Sequence, residues 1–365
     1  MVNEVGIPGI YVILLVILFL YRLFPKSNAL YYTSVFALVC VAVLRGVEVG
    51  TDYPGYIMDL EYYNSVEKVL NTTSRTEKGF YWLLYYSNRL GIHYLILFGG
   101  MFITTLWAIL RLANYNKCDK SWVLLLFYMM GFYFMSFNII RQMFAISIIL
   151  LAVPWLFKKK YVLFAGVTIF TSLLFHSSEM LFLLLIPLHW YVSKDNIKLN
   201  KKVLYIGVIG SFVMYYVAQR FLFVYALQLL ALLGMGDTYS IYIKLAADRE
   251  TIGNTTSMLY TILALIIIYL KNPKTCIFET YAVVVSIVIF NLTNVMAAFA
   301  YRLFIDFNIF ILFLIPLMLG ELKIKEKRYF MAVIICFYSV MFTYKYYLNN
   351  HGQVKPYYFI FEDGK

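Results

Sequence analysis

Three arginines, one histidine and three carboxylates interrupt a sequence that is otherwise strongly apolar. They are Arg45, Arg141, Arg302, His176, Asp52, Glu179 and Asp306. A guanidinium donates two parallel hydrogen bonds from a planar fork, which suits the oxygens of a phosphate or diphosphate. An imidazole or a carboxylate near a hydroxyl takes its proton as the oxygen attacks. Together such groups suit transfer chemistry in which an anionic phosphate group is bound or leaves.

Each group has a local context, and each context has an ordinary alternative. In "FNIIRQMFA" the spacing predicts Asn138, Arg141 and Gln142 on one helix face, three and four residues apart. A guanidinium in apolar sequence costs about 2.5–3.5 kcal/mol at a bilayer centre, so it faces protein, water or headgroups. In "LLFHSSEML" His176 precedes a helix start with Ser177, Ser178 and Glu179 in its first turn. That is ordinary capping chemistry, or a base with Glu179 to orient it. In "FAYRLFIDF" Arg302 and Asp306 are four residues apart, either a self-neutralising pair or an arginine held for an anionic ligand. Arg45 precedes "VGTDYPGY", where Gly50, Pro54 and Gly55 predict turns and Asp52 a turn-stabilising side chain.

The elements that must position these groups are membrane helices. The chain has 365 residues, of which 62% are hydrophobic and 14% charged. Soluble domains run about 45–50% apolar and 25% charged. Apolar runs predict helices near 9–24, 30–44, 92–112, 121–138, 140–157, 161–175, 178–192, 203–218, 255–270, 277–298, 303–319 and 329–347. The expected fold is all-α, a polytopic integral membrane protein of about 11–13 transmembrane helices in a single domain, 1–365. Residues 79–90 are too short to span. The loops 45–78 and 219–250 are expected on the outer face, carrying interfacial or re-entrant helices. The run 9–24 lacks a basic leader and a small-residue cleavage site, so a retained helix is expected.

Placing the N-terminus outside puts Arg22 and Lys26; Arg111, Lys117 and Lys120; Lys158–Lys160; Lys194, Lys198, Lys201 and Lys202; Lys271 and Lys274; and Lys323, Lys325, Lys327 and Arg328 in cytoplasmic loops. Glu48, Asp52, Asp59, Glu61, Glu67 and Glu77 then face outward with Arg45, Asn138, Arg141, His176 and Arg302. The net charge of +12 is scattered over short loops, a topology signal and not a nucleic-acid stripe. Cys40, Cys118, Cys276 and Cys336 are dispersed and read as packing residues. Walker A, GxGxxG and zinc signatures are absent, so no cofactor and no metal are expected, and activity is expected to survive EDTA. The sequons at Asn71, Asn254 and Asn291 are weak, and Asn291 falls in an expected span.

Arg45 with "VGTDYPGY", "EKGF" at 77–80, "NIIRQ" at 138–142, "FHSS" at 175–178, "YRL" at 301–303 and a terminal "PYY" follow one another in an order that resembles the EpsG-like family. These are Wzy-type polymerases of bacterial surface polysaccharides. The resemblance implies a glycosyltransferase on the outer face of the bacterial cytoplasmic membrane. Its substrates would be undecaprenyl-pyrophosphate-linked repeat units, and the growing chain would pass to the incoming unit with undecaprenyl pyrophosphate leaving. Membrane lipid, a chain-length regulator and a flippase of the same pathway are the implied partners. On that basis Arg141 and Arg302 are expected to hold the pyrophosphate and Arg45 to support it. Asn138, Gln142, Glu179 and Asp306 are expected to complete the substrate-binding set. His176 is the first choice of base and Asp52 the second. A flippase of the same lipids, an outer-face ligase or acyltransferase, and a structural subunit of a synthase remain rival readings.

Overall fold

The computed structural model describes residues 8–72, 78–194, 197–215, 254–270, 275–293 and 298–362. The expected outer loop 219–250 and Glu77 lie outside these residues. Among them every regular element is helical, and extended backbone pairs only in an isolated antiparallel bridge between Arg45 and Phe359.

Among the described residues four helices are long and apolar enough to cross a bilayer: Tyr94–Tyr115, Ile140–Phe157, Arg302–Glu321 and Ile324–Leu348. A fifth crossing is available from Lys120–Met129 and Phe132–Asn138, a pair bent by 55°. Gly9–Leu23, Asn28–Val43, Tyr161–Leu174, Ser177–Val192, Thr255–Leu270 and Ile277–Thr293 are apolar but shorter, at 10–17 residues. The all-α polytopic architecture therefore stands. Among the described residues these shorter helices fall below the roughly 20 residues that cross the hydrocarbon core untilted, so length alone does not establish the expected 11–13 spans.

The chain divides into two compact units, residues 1–180 with 323–365, and residues 181–322. In the first unit the helices up to residue 174 are α1 (Gly9–Leu23), α2 (Asn28–Val43), α3 (Tyr53–Tyr62), α4 (Val66–Leu70), α5 (Lys78–Arg89), α6 (Tyr94–Tyr115), α7 (Lys120–Met129), α8 (Phe132–Asn138), α9 (Ile140–Phe157) and α10 (Tyr161–Leu174), and the C-terminal helix Ile324–Phe342, continued by Thr343–Leu348, belongs to the same unit. At its centre α7 and α8 are buried on all sides from Ser121 to Phe137, as a helix apolar around its whole circumference must be. The expected single helix 121–138 is broken at Gly131, whose φ of +86° is left-handed. The break exposes a carbonyl that the Tyr346 hydroxyl satisfies, donating to Gly131 O at 3.2 Å. Two further buried hydroxyls tie this core to its neighbours. Tyr128 donates to Tyr11 O at 2.7 Å and Tyr133 to Leu38 O at 3.1 Å. A hydroxyl bonded to a carbonyl lets a tyrosine bury its ring without stranding its polar end.

In the second unit the long helices are 201–215, Asn254–Leu270, Ile277–Thr293, Ala298–Asn308 and Ile311–Glu321. Asn291 lies buried there, donating to Ser211 Oγ at 3.2 Å and Thr261 Oγ1 at 3.0 Å. That polar knot joins three helices in an apolar interior and accounts for an asparagine within a span.

Candidate functional site

The chain leaves α2 through Arg45, and the C-terminal tail returns to meet it. Gly46 N donates to Tyr358 O at 2.9 Å and Ile360 N to Leu44 O at 2.9 Å. Gly50 N and Thr51 N donate to Gln353 O and Gly352 O, each at 3.0 Å. The Tyr357 hydroxyl reaches Val41 O at 2.9 Å. Main-chain groups that a plain loop would leave to water are thus paired across more than 300 residues of sequence.

Beneath this clasp Arg45 is only 3% exposed. Its guanidinium donates to the carbonyls of Ala42, Val49 and Phe137 and lies over the rings of Tyr53 at 3.7 Å and Phe137 at 4.6 Å. Asn138 belongs to the same joint. Its Oδ1 accepts from Asp52 N at 3.4 Å and its Nδ2 donates to Phe134 O at 3.2 Å. Gly50, at φ +118°, and Gly352, at φ +79°, both press their backbones against this side chain. Asp52 is the N-cap residue of α3, but its side chain makes no cap bond. The expected turn at Pro54 and Gly55 is instead the first turn of α3, where a proline is tolerated because it removes no needed donor.

The expected single face of Asn138, Arg141 and Gln142 does not form. Ile139, at ψ +50°, separates α8 from α9, and the register of one helix does not continue through it. Asn138 points into the loop–tail joint, Gln142 is 2% exposed, and Arg141 is half-buried in the first turn of α9. The guanidinium of Arg141 lies 5.6 Å from the centre of the Phe80 ring.

Above Arg141 the segments α3, α4 and α5 fold into a small aromatic cap. Tyr53, Leu60, Tyr63, Val69, Phe80 and Leu84 are buried together with Phe98 of α6 and Ile140 of α9. Edge-on ring contacts hold it, Tyr56 to Phe80 at 5.7 Å and Tyr53 to Phe98 at 5.8 Å. At Gly79 a side chain would lie 2.6 Å from Leu174, so glycine is what lets α5 sit on the end of α10. Phe144, one turn after Arg141, meets Phe175 ring to ring at 5.2 Å, and His176 is the next residue. Arg141 and His176 therefore belong to the same end of the α9–α10 pair. As expected, residues 177–184 begin a helix there, although a 3₁₀ helix, and Glu179 on it is fully buried with Ser178 Oγ 3.4 Å from its carboxylate.

Sequence reasoning gave Asp59 no role in the site. It lies on α3 in the apolar stripe of Tyr56, Leu60 and Tyr63, and that position between buried aromatics is the signal that marks it. Burial pushes its carboxyl above the usual carboxylate range, and the Arg141 charge partly offsets the rise. The Asp59 carboxyl on α3 thus feels the charge of Arg141, whose guanidinium faces the Phe80 ring of the cap.

In the second unit Arg302 and Asp306 sit on one helix, Ala298–Asn308, as expected, with Arg302 half-buried and Asp306 fully buried. Among the described residues no group of His, Cys, Asp and Glu is arranged to hold a metal ion.

Membrane-length apolar helices, an aromatic cap and a buried loop–tail joint define a polytopic helical membrane protein with an elaborated polar end. The EpsG family model matches residues 28–359, and the chain belongs to that family. This membership supports a polysaccharide polymerase-type role in the membrane. No curated protein and no solved structure matches the chain.

Proposed function

We propose that the protein is a membrane glycosyltransferase that polymerises undecaprenyl-pyrophosphate-linked repeat units on the outer face of the bacterial cytoplasmic membrane. The observation that carries this reading is Arg141 in the first turn of α9, its guanidinium against the Phe80 ring of the aromatic cap. A helix N-terminus and a guanidinium together favour an anion, and a diphosphate leaving group is one.

In the proposed step a hydroxyl oxygen of the incoming unit attacks the anomeric carbon that joins the growing chain to its lipid diphosphate. The new glycosidic bond forms as the bond to the diphosphate oxygen breaks, and the diphosphate departs with the bonding pair. Arg141 stabilises the charge developing on it, without ATP. The hydroxyl proton passes to a base. His176 and Asp59 are the two candidates at this end of the first unit, and Asp59 is the one whose carboxyl feels the Arg141 charge. Asp52 becomes a positioning residue at the start of α3. Arg45 and Asn138 hold the loop that carries the cap. Arg302, with Asp306 beside it, is a separate cation to test in its own right, and Gln142 and Glu179 act from buried positions.

Reconstitution with a purified lipid-linked repeat unit tests this directly. The expected product is a ladder of polymer lengths that disappears in Arg141→Ala while the protein stays folded. Translocation of the lipid with no linkage formed would establish the flippase instead.

A further inference from the structure

At the lysine-rich end of α6, α9 and α10, away from Arg141, a cavity of about 490 Å³ opens between the helices. Arg111 and Asn114 of α6 and Lys158 at the end of α9 form its polar wall. Ile148, Leu151 and Val167 form its apolar wall. No carboxylate lines it among the described residues. The rings of Tyr115 and Phe157 stack at 6.0 Å, and Arg111 lies 5.5 Å from the Trp107 ring centre, so the cationic wall is framed by aromatics.

The shape of this cleft identifies what fits it. Ile148 precedes Lys158 by ten residues of one helix, about 15 Å along the axis at 1.5 Å per residue. The two cations are therefore at one end, and the apolar wall runs from there toward the middle of the bilayer. A free phosphate would need the cations alone. An amphiphile with an anionic head uses both walls. The carbonyl ends of α6 and α9 also finish here, so Arg111 and Lys158 reverse a local field that would otherwise repel an anion. Basic pockets between transmembrane helices on the lysine-rich side are a recurrent setting for anionic headgroups.

We propose that this cleft binds an anionic phospholipid, with its phosphate at Arg111 and Lys158 and an acyl chain along Ile148, Leu151 and Val167. The bound lipid wedges α6, α9 and α10 together at the end opposite Arg141. This site is independent of the polymerase reading.

The test uses the full chain, purified in neutral detergent, with bound lipids counted by native mass spectrometry and thermal unfolding followed in parallel. Phosphatidylglycerol is expected to be retained and to raise the unfolding temperature, phosphatidylcholine much less. Replacing both cations, Arg111→Gln with Lys158→Gln, is expected to weaken phosphatidylglycerol binding roughly 30-fold. The charge-preserving pair Arg111→Lys with Lys158→Arg is expected to keep it. Val167→Trp, which fills the apolar wall and leaves both charges, is expected to reduce it as well. Replacing two exposed cations elsewhere, Lys325→Gln with Arg328→Gln, is expected to leave it unchanged. Equal retention of the two lipids, or undiminished binding by the Arg111→Gln/Lys158→Gln protein, would overturn the proposal. So would inorganic phosphate alone giving the full stabilisation, which would define an anion site without a lipid.

Discussion

The guanidinium of Arg45 lies over the ring of Tyr53, its Cζ 3.7 Å from the ring centre, and fastens the exit from α2 to the first turn of α3. The arginine is buried at 3% exposure, and its donors are directed at three main-chain carbonyls. A cation so placed is a rivet between the loop and the core. The aromatic cap hangs from α3, so the rivet acts on the proposed site through the cap.

Arg45→Ala is accordingly expected to act on stability. It removes a desolvated cation–π contact of about 2 kcal/mol and strands buried carbonyls at about 1–3 kcal/mol, so a loss on the order of 3 kcal/mol is expected. Arg45→Lys is expected to recover little, because an ammonium cannot serve carbonyls and a ring face from one plane. Thermal unfolding in detergent, with polymer yield normalised to folded protein, separates the roles. An Arg45→Ala protein of unchanged stability that makes no polymer would put Arg45 in the site wall.

Gly352 and Gly100 make a matched pair for testing the loop–tail clasp. Gly352 has φ +79° and lies against the Asn138 amide, so Gly352→Ala meets both a strained backbone and a blocked space. A cost of about 1–2 kcal/mol from the left-handed conformation alone is expected, with the clash added. Faster proteolysis within 45–52 is the local readout. Gly100 on α6 has nothing near a Cβ position, and Gly100→Ala is expected to cost nothing.

The apolar runs made the helices legible, because bilayer-length hydrophobicity is a one-dimensional signal. The non-spanning character of 79–90 was legible for the same reason, and that segment is α5. The break at Gly131 was not, since a lone glycine in apolar sequence is equally compatible with an unbroken helix. Arg141, His176 and Glu179 were found as polar groups at helix ends. Arg45 was found too, but its burial against Tyr53 and the returning tail depends on pairing residues some 300 positions apart. Asp59 was hidden among the other carboxylates of the 45–78 segment until the packing of α3 singled it out.

Arg141→Ala is expected to lower the turnover of lipid-linked repeat units by about 10²–10³, the usual loss on removing one donor to a developing negative charge. Arg141→Lys retains the charge and is expected to recover part of that loss. The side chain is half-buried over Phe80 and not a core rivet, so unfolding temperature is expected to move much less than turnover. Parallel loss of both would reassign Arg141 to the scaffold of the cap.

Asp59 supplies a test that needs no substrate. Burial raises its carboxyl in the folded protein despite the opposing Arg141 charge, so the folded state holds the proton more tightly than the unfolded chain. Stability from this group is therefore full below the ordinary carboxylate value of 3.8 and is lost as pH rises through the raised folded value. Asp59→Asn cannot lose that proton. The unfolding temperature of Asp59→Asn relative to the native protein is expected to climb with pH across this window and level off above it. Removing the neighbouring cation in Arg141→Met leaves burial unopposed and is expected to move the window upward. A difference that shrinks as pH rises would mean that Asp59 is held as a carboxylate by attraction to Arg141. In that case it would serve as the arginine's counter-ion, and His176 would be left as the base.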